Sequence, residues 1–373
     1  MLCEAGAAQQ LGTLIAQQMT VARVMIITDP GIVAAGLLEG PIKSLEAANM
    51  HVTIFDQTIA DPPQEMVLRV ADLVKDAKAQ LVIGLGGGSS MDTAKLAAVL
   101  ALSDQALEDM YGVDKVVGPR LPLVLIPTTA GTGSEVTAVS IVTTGATSKM
   151  GVVSPHLYAD LAILDAQLTV GLPSQITAAT GIDAMVHAIE AYTSKHKKNA
   201  ISDMLAQKAL VLLVNNMVSA CEDGNNIEAR SAMLLGAMLA GQAFANAPVA
   251  AVHALAYPLG GLFHIPHGLS NALMLSPVMR FNAPAAAQHY AELADLLLPD
   301  IHGSAMEKTI ALIEFLEEIM EKIHLQRRLS QLGITQTDIA TLAEHAMLQT
   351  RLLVNNPRAL LLDDAISLYS QAL

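Results

Sequence analysis

The sequence predicts two domains, an α/β domain with a mainly parallel sheet followed by an all-α domain. A chain of 373 residues, 52% of them hydrophobic, is long enough to bury two cores. In its first half, short β-branched runs alternate with helix-like segments, which is the pattern of a parallel sheet covered by helices. After Pro173 the strand signals stop and the sequence has helical periodicity. The predicted domains are residues 1–168 and 169–373.

Five short apolar runs are the predicted strands, because each is rich in Val, Ile or Leu and is followed by turn or polar residues. They are Val24–Thr28, His51–Phe55, Leu81–Leu85, Leu123–Ile126 and Leu161–Leu164. In the second half, Ile201–Val214 and Met306–Ile323 are examples of segments with helical period and helix-forming composition.

Composition and charge exclude several classes of function. With 35 acidic and 21 basic residues the formal charge is -14, which disfavours a nucleic-acid or anionic-lipid partner. Mean hydropathy is +0.45, but apolar stretches such as 205–214 are shorter than the roughly 20 residues of a spanning helix. They are predicted to be buried helices, without a membrane partner. The N-terminus lacks the pattern of a signal peptide, and Cys3 and Cys221 do not suggest disulfides, so a cytoplasmic location is expected.

A glycine-rich loop follows the third predicted strand and opens a helix. Glycines let the backbone approach a pyrophosphate closely, and the N–H groups and dipole of a helix N-terminus favour its charge. The alternative is a tight turn in which Ser89 or Ser90 caps the helix. The loop comprises Gly86, Gly87, Gly88 and Ser89.

Two further strand ends carry small or polar residues. Asp29 ends the first strand, where it could accept a hydrogen bond from a ribose hydroxyl or could only shape a turn before Pro30. The fourth strand leads into the segment 127–135, whose threonines and glycines offer hydroxyls and bare backbone to a ligand. Three such loops at successive strand ends favour one joint binding site.

The helical half contains a pattern typical of a metal site. Asp183 and His187 are four residues apart and would share one helix face. His253, His264 and His267 lie within 15 positions of each other in apolar surroundings, where several histidines and a carboxylate are better explained by a transition metal than by packing. One carboxylate and three neutral imidazoles would leave a divalent ion positively charged and able to stabilise an alkoxide, as hydride transfer from an alcohol requires.

Four motifs resemble the iron-containing, or group III, alcohol dehydrogenases, a family that includes lactaldehyde reductase and 1,3-propanediol dehydrogenase. The resemblance spans nearly the whole chain and implies the dehydroquinate synthase-like architecture, with an α/β NAD(P)-binding domain and a helical catalytic domain. The motifs are GGGSSMDTAK at 86–95, PTTAGTGSEVT at 127–137, TGIDAMVHAIEAY at 180–192 and HALAYPLGGLFHIPHG at 253–268.

By matching position, the resemblance implies the site residues. The metal ligands and catalytic residues are Asp183, His187, His253 and His267. The cofactor contacts are Asp29, Gly86, Gly87, Gly88, Ser89, Asp92, Thr128, Thr129, Ser134 and Lys149. A carboxylate at Asp29 would repel a 2′-phosphate, so NAD is predicted over NADP. The expected ion is Fe²⁺, with Zn²⁺ as an alternative, the expected substrate a small alcohol or aldehyde, and the expected assembly a homodimer or larger homo-oligomer.

The chain departs from the family pattern at two places. Where several relatives carry a second histidine four residues after the third ligand, this chain has Tyr257. The chain also starts close to the Gly6-Ala7 segment, so an N-terminal edge strand is expected to be absent. The alternatives to the leading hypothesis are an enzyme of the glycerol dehydrogenase or dehydroquinate synthase type and a catalytically silent cofactor-binding protein.

Overall fold

The computed structural model describes residues 1–145 and 148–373. Two compact units are distinguished within the chain. Unit 1 comprises Met1–Thr129 and Gly133–Val170, and unit 2 comprises Ala130–Thr132 and Gly171–Leu373.

Unit 1 is built on a six-stranded sheet in which every pair of neighbouring strands is parallel. From one edge to the other, the strands are β1 (Leu2–Cys3), β9 (Leu161–Leu164), β6 (Leu123–Pro127), β4 (Leu81–Gly86), β2 (Arg23–Ile27) and β3 (His51–Phe55). All five predicted strands are present in it, which confirms the parallel α/β architecture. A two-residue N-terminal strand, β1, lies at one edge, so the expectation that an N-terminal edge strand is absent was wrong.

Both faces of this sheet are covered, because alternate strand residues enter different cores. On β2, Ile26 belongs to the core that includes helix residues Leu11 and Leu45, whereas Ile27 belongs to the core that includes Val70 and Met91. The helices of unit 1 are α1 (Leu11–Ala16), α2 (Pro30–Ala34), α3 (Glu39–Ala47), α4 (Gln64–Asp76), α5 (Gly88–Leu100) and α6 (Leu107–Met110).

A second, three-stranded sheet in unit 1 was not predicted. Its order is β5-β8-β7, with β7 antiparallel to β8. The sequence signal is weak because β5 has only two residues and β7 mixes valine and isoleucine with serine and threonine. The strands are β5 (Gly112–Val113), β7 (Val139–Thr144) and β8 (Ser148–Val153).

The described part of unit 2 is helical, as predicted from the loss of strand signals after Pro173. The predicted helices 201–214 and 306–323 correspond to α8 and α12. The helices are α7 (Ser174–Thr193), α8 (Ala200–Glu222), α9 (Ile227–Asn246), α10 (Ala251–Phe263), α11 (His267–Leu297), α12 (Ala305–Lys322), α13 (Ile339–Met347), α14 (Thr350–Leu353) and α15 (Leu362–Ala372).

One helix of the described chain, α8, is long and apolar enough to cross a membrane by length and composition alone. Helices α9 and α10 pass the same test only as a pair that bends by 108°. Because α8 is longer than the apolar segment 205–214, its length does not exclude a membrane span, contrary to the expectation from the sequence. Core helices commonly pass this test, and α8 packs against α7 and α9.

Candidate active site

Helix α7 carries the first two candidate metal ligands on one face. Asp183 and His187 are separated by one turn, and their side chains are only 3% and 6% exposed. Burying a carboxylate without a charged or hydrogen-bonding partner is costly, so its surroundings must compensate. The face of α7 that carries these residues is therefore built around a polar cluster.

Two other helices bring the remaining candidate ligands to this cluster. His253 lies in the first turn of α10, and His267 is the first residue of α11. Their Nε2 atoms lie 3.7 and 3.6 Å from Asp183 Oδ1, and His187 Nε2 lies 3.9 Å from the same oxygen. The structure thus brings together all four residues that the family resemblance implies as metal ligands.

The donor set fits a divalent transition metal. Bonds of about 2.1 Å in a tetrahedral site would separate neighbouring donors by roughly 3.4 Å, close to the distances found around Asp183 Oδ1. Ligating atoms of Asp183, His187 and His253 all lie within 4.8 Å of one another, and all three residues are buried. Asn271 Oδ1, also buried, accepts no hydrogen bond from the described residues. A cation would balance a negatively charged, acceptor-rich cluster of this kind.

The protonation states of the cluster suit metal binding. Burial lowers the pKa of His187 to about 3, so its imidazole is neutral near pH 7 and has a free lone pair. Burial alone would raise the pKa of Asp183, but His187, His267, His253 and a hydrogen bond from Asn271 together lower it below its usual value. Asp183 is therefore ionised. The ionised carboxylate of Asp183 and the neutral imidazole of His187 can therefore both donate a lone pair to a metal.

Two polar residues of this cluster were missed by the sequence analysis. Asn271 lies one turn after His267, and its Nδ2 donates to Asp183 Oδ1 at 2.6 Å. Glu190 lies three residues after His187, and its Oε2 is 2.7 Å from His253 Nδ1. The spacing of each from a ligand on its own helix was visible in the sequence, but the contacts to Asp183 and His253 come from other helices.

Aromatic rings and one exposed face complete the surroundings of the cluster. Phe244 stacks on His187 with ring centroids 4.4 Å apart. The ring of Tyr257 lies 5.8 Å from the ring of His267 and packs on a small apolar cluster. The side chain of His267 is 30% exposed, whereas the other three ligands are at most 6% exposed. The cluster therefore opens on the side of His267. His264 is exposed and ends α10 in a left-handed conformation.

Gly268 allows α11 to begin against α7, and its replacement tests this packing. A Cβ atom at Gly268 would lie 2.3 Å from the carbonyl oxygen of Ala179. We expect Gly268→Ala to cost about 1–3 kcal/mol of unfolding free energy and to displace His267. Urea unfolding and metal content would be measured against Leu296→Ala, because Leu296 lies on the same helix, is 39% exposed and can be truncated without a clash. Wild-type stability and metal content in Gly268→Ala would contradict this expectation.

The glycine loop of unit 1 connects β4 to α5. A Cβ atom at Gly86 would lie 2.7 Å from Ser90 Oγ, so a larger residue does not fit there. Helix α5 begins without a side-chain cap. The alternative in which Ser89 or Ser90 caps the helix is therefore wrong, because the Ser90 hydroxyl points to Asp29 instead, at 3.4 Å. Uncapped N–H groups at the start of α5 suit an anionic ligand.

The two carboxylate oxygens of Asp29 face different neighbours. Its Oδ1 accepts hydrogen bonds from Gly31 N and Ile32 N, and so it caps α2. Its Oδ2 faces the glycine loop, at 3.1 Å from the position of a Cβ atom on Gly86. The carboxylate thus shapes its own turn and lies beside the loop. Thr128 and Thr129 follow β6, and Thr128 N donates to Gly86 O, which ties this segment to the same loop.

Buried charged residues hold the segment after β6 against α5. Lys95 Nζ donates to Ser134 Oγ at 2.8 Å, and Ser134 Oγ donates to Asp92 Oδ1 at 2.6 Å. The other oxygen of Asp92 accepts from Ile141 N on β7. Asp92 and Ser134 are therefore joined in one network. Lys149 lies on β8 and forms an ion pair with Asp61 at 2.6 Å.

Glu135, next to this network, is expected to make the stability of the protein depend on pH. Burial raises its pKa to about 7, although the charge of Lys95 lowers it, so the folded state holds a proton that the unfolded state has lost above its usual value of 4.5. The stabilisation from this protonated carboxyl is full below pH 4.5 and is lost as pH rises through 7. We expect the stability of Glu135→Gln relative to wild type to increase over this range in urea unfolding. A difference in unfolding free energy that does not change with pH, as expected for the exposed control Glu314→Gln, would contradict this prediction.

The chain matches known proteins over almost its entire length. Residues 1–166 match the model of iron-containing alcohol dehydrogenase, and residues 177–373 match that of the C-terminal part of the Fe-containing alcohol dehydrogenase family. Long-chain-alcohol dehydrogenase 1 of Geobacillus thermodenitrificans is 40% identical over 94% of this chain and 89% of the relative. NAD-dependent methanol dehydrogenase of Bacillus methanolicus is 33% identical over 99% of this chain and 96% of the relative.

A solved structure confirms the architecture. The crystal structure of a 1,3-propanediol oxidoreductase superposes with a TM-score of 0.96 at 32% identity, over all of this chain and 97% of the other. The matches do not favour the glycerol dehydrogenase or dehydroquinate synthase alternative. The polar cluster on α7, α10 and α11 carries the residues expected from the family motifs. The chain therefore belongs to the iron-containing alcohol dehydrogenase family and is an oxidoreductase that acts on alcohols.

Proposed function

We propose that this enzyme reversibly transfers hydride between a primary alcohol or small diol and NAD, with a divalent metal held by Asp183, His187, His253 and His267. The observation that carries the proposal is the position of three imidazole Nε2 atoms within 3.6–3.9 Å of one buried carboxylate oxygen. We propose Fe²⁺ as the native ion, following the family, and Zn²⁺ as the alternative that the same donors bind.

The residues around the metal prepare the alcohol for oxidation. A bound divalent ion would act as a Lewis acid toward the substrate oxygen. Asp183 supplies the negative charge that keeps such an ion in place, and the neutral ring of His187 supplies a lone pair because burial keeps its pKa at about 3. His267, the most exposed ligand, marks the side from which the substrate approaches. Phe244 and Tyr257 contribute apolar surface on which a carbon chain can pack.

Unit 1 supplies the proposed cofactor site. We propose that Gly86, Gly87, Gly88 and Ser89 receive the pyrophosphate at the uncapped start of α5. Asp29 would bind the adenosine ribose and disfavour a 2′-phosphate, which makes NAD the cofactor. Asp92 fixes the hydroxyl of Ser134, and Thr128, Thr129 and Lys149 are proposed as further contacts. Residues 1–168 would thus bind NAD, and residues 169–373 would hold the metal.

We also propose a cytoplasmic homodimer or larger homo-oligomer. Cys3 and Cys221 are both free thiols in the structure, as in proteins of reducing compartments. Light scattering coupled to size-exclusion chromatography would test the assembly, and a monomer of the chain mass at micromolar concentration would contradict it.

The activity is tested by measuring NADH formation with ethanol, 1-octanol, 1,2-propanediol and 1,3-propanediol, and NADH oxidation with the matching aldehydes. We expect turnover with at least one primary alcohol that stops when a chelator removes the metal and resumes when Fe²⁺ is added without oxygen. The secondary alcohol 2-propanol is the matched control. Tight NAD and metal binding without turnover of any alcohol or aldehyde would instead support a catalytically silent cofactor-binding protein.

A further inference from the structure

Glu190 is a buried carboxylate that joins two of the helices carrying metal ligands. It lies on α7, three residues after His187, and is 4% exposed. Its Oε1 accepts a hydrogen bond from Val252 N at 2.7 Å, and its Oε2 accepts from Ala250 N at 2.9 Å. The same Oε2 lies 2.7 Å from His253 Nδ1. Every one of these partners is about 60 residues away in sequence.

The backbone contacts show that Glu190 caps α10 from outside that helix. The residue before α10, Ala250, has no side chain that could accept hydrogen bonds from the first N–H groups. N–H groups at the start of a helix need acceptors from outside the helix, and the two carboxylate oxygens of Glu190 are those acceptors here. The start of α10, and with it the backbone of His253, is thereby fixed relative to α7.

The side-chain contact determines which nitrogen of His253 is free. Because a carboxylate accepts hydrogen bonds, the proton of a neutral His253 lies on Nδ1. The lone pair then lies on Nε2, the atom 3.7 Å from Asp183 Oδ1. A carboxylate behind a ligand imidazole also makes the ring a stronger donor.

Charge balance supports the same arrangement. Asp183 and Glu190 are two carboxylates on one helix, and the side chains of both are at most 5% exposed. Two buried negative charges are costly unless a cation or strong hydrogen bonds offset them. A divalent ion at the cluster would balance both charges, one directly and one through the ring of His253.

We propose that Glu190 is a positioning residue of the metal site, which holds His253 in its ligating tautomer and strengthens its bond to the metal. The inference rests on the proposed metal site. It extends that site by one residue that does not itself touch the metal.

The test is a Co²⁺ titration of metal-free Glu190→Gln under anaerobic conditions, read by the visible d–d absorption of the ion. Glutamine keeps the size of the side chain but must present an N–H group to one of the three donors. We expect roughly 10- to 100-fold weaker Co²⁺ affinity, the range usual when a residue hydrogen-bonded to a metal ligand is replaced, and a shifted d–d spectrum.

Asp165→Asn is the matched control. Asp165 is also a buried carboxylate that accepts backbone hydrogen bonds, from Gly6, Ala8 and Gln167, but it contacts none of the proposed ligands. We expect this variant to lose stability and to keep the affinity and spectrum of wild type. If Glu190→Gln is insoluble, Glu190→Asp serves instead, because it keeps the charge but withdraws the carboxylate from His253, and the same weakening is expected.

The outcomes separate the inference from the proposed site. Wild-type affinity and spectrum in a folded Glu190 variant would overturn the positioning role while the metal site stands. Lowered stability with unchanged Co²⁺ binding would also overturn it and leave Glu190 as a helix cap. Absence of Co²⁺ binding in wild type would overturn the metal site itself.

Discussion

Replacing Asp183 with asparagine is expected to remove the metal and to abolish alcohol oxidation. The Nε2 atoms of the three histidines all lie within 3.6–3.9 Å of Asp183 Oδ1. Asp183 is also the only carboxylate among the four proposed ligands. Asparagine keeps the shape and removes the charge. Loss of a residue that is hydrogen-bonded to a metal ligand costs up to roughly 100-fold in metal affinity. We expect a larger fall in Asp183→Asn, because a ligand itself is changed, and we expect kcat to fall with metal content.

Metal content and NADH formation of Asp183→Asn would be measured beside Asp165→Asn. Both variants neutralise a buried aspartate, but only the first lies among the proposed ligands. One equivalent of metal and near wild-type turnover in Asp183→Asn would show that the cluster is not the metal site.

Removing the charge of Asp29 is expected to relax the preference for NAD over NADP. Two like charges about 4 Å apart near a protein surface repel by roughly 1–4 kcal/mol, so we expect the ratio of kcat/KM for NADP to that for NAD to rise about 10- to 100-fold. Asp29→Gly is suitable because glycine is tolerated at a helix N-cap at a cost of a few tenths of a kcal/mol.

Asp29→Asn separates charge from capping. Asparagine also caps helices well but carries no charge. If repulsion of the 2′-phosphate sets the preference, both variants shift it in the same direction. An unchanged ratio in both would show that Asp29 only shapes the turn before Pro30.

The central strands of the sheet of unit 1 could be predicted because they are buried on both faces and are therefore almost continuously apolar. Val82 and Ile83 on β4, for example, enter different cores and are both hydrophobic. The three-stranded sheet could not be predicted, since the buried positions of β7 include Ser140 as well as Val142. The hydroxyl of the buried Ser140 donates to the backbone oxygen of Asp92, so burial on this strand does not follow an apolar periodicity.

The candidate site was only partly visible in the sequence. The spacing of Asp183 and His187 predicted a shared helix face, but spacing alone did not decide between His264 and His267 as a ligand, and the family motif made that choice. Glu190 and Asn271 could not be found because their roles arise from the packing of α7 against the starts of α10 and α11. The hydrogen bond of Asn271 to Asp183 spans 88 residues, and those of Glu190 span 60–63 residues.

The central claim, a metal held by one aspartate and three histidines, is tested most directly by the metal content of protein purified without oxygen. We predict one equivalent of divalent metal per chain, lost together with NADH formation on chelation and recovered together when Fe²⁺ or Zn²⁺ is restored. Undiminished alcohol oxidation by fully metal-free protein would contradict the account.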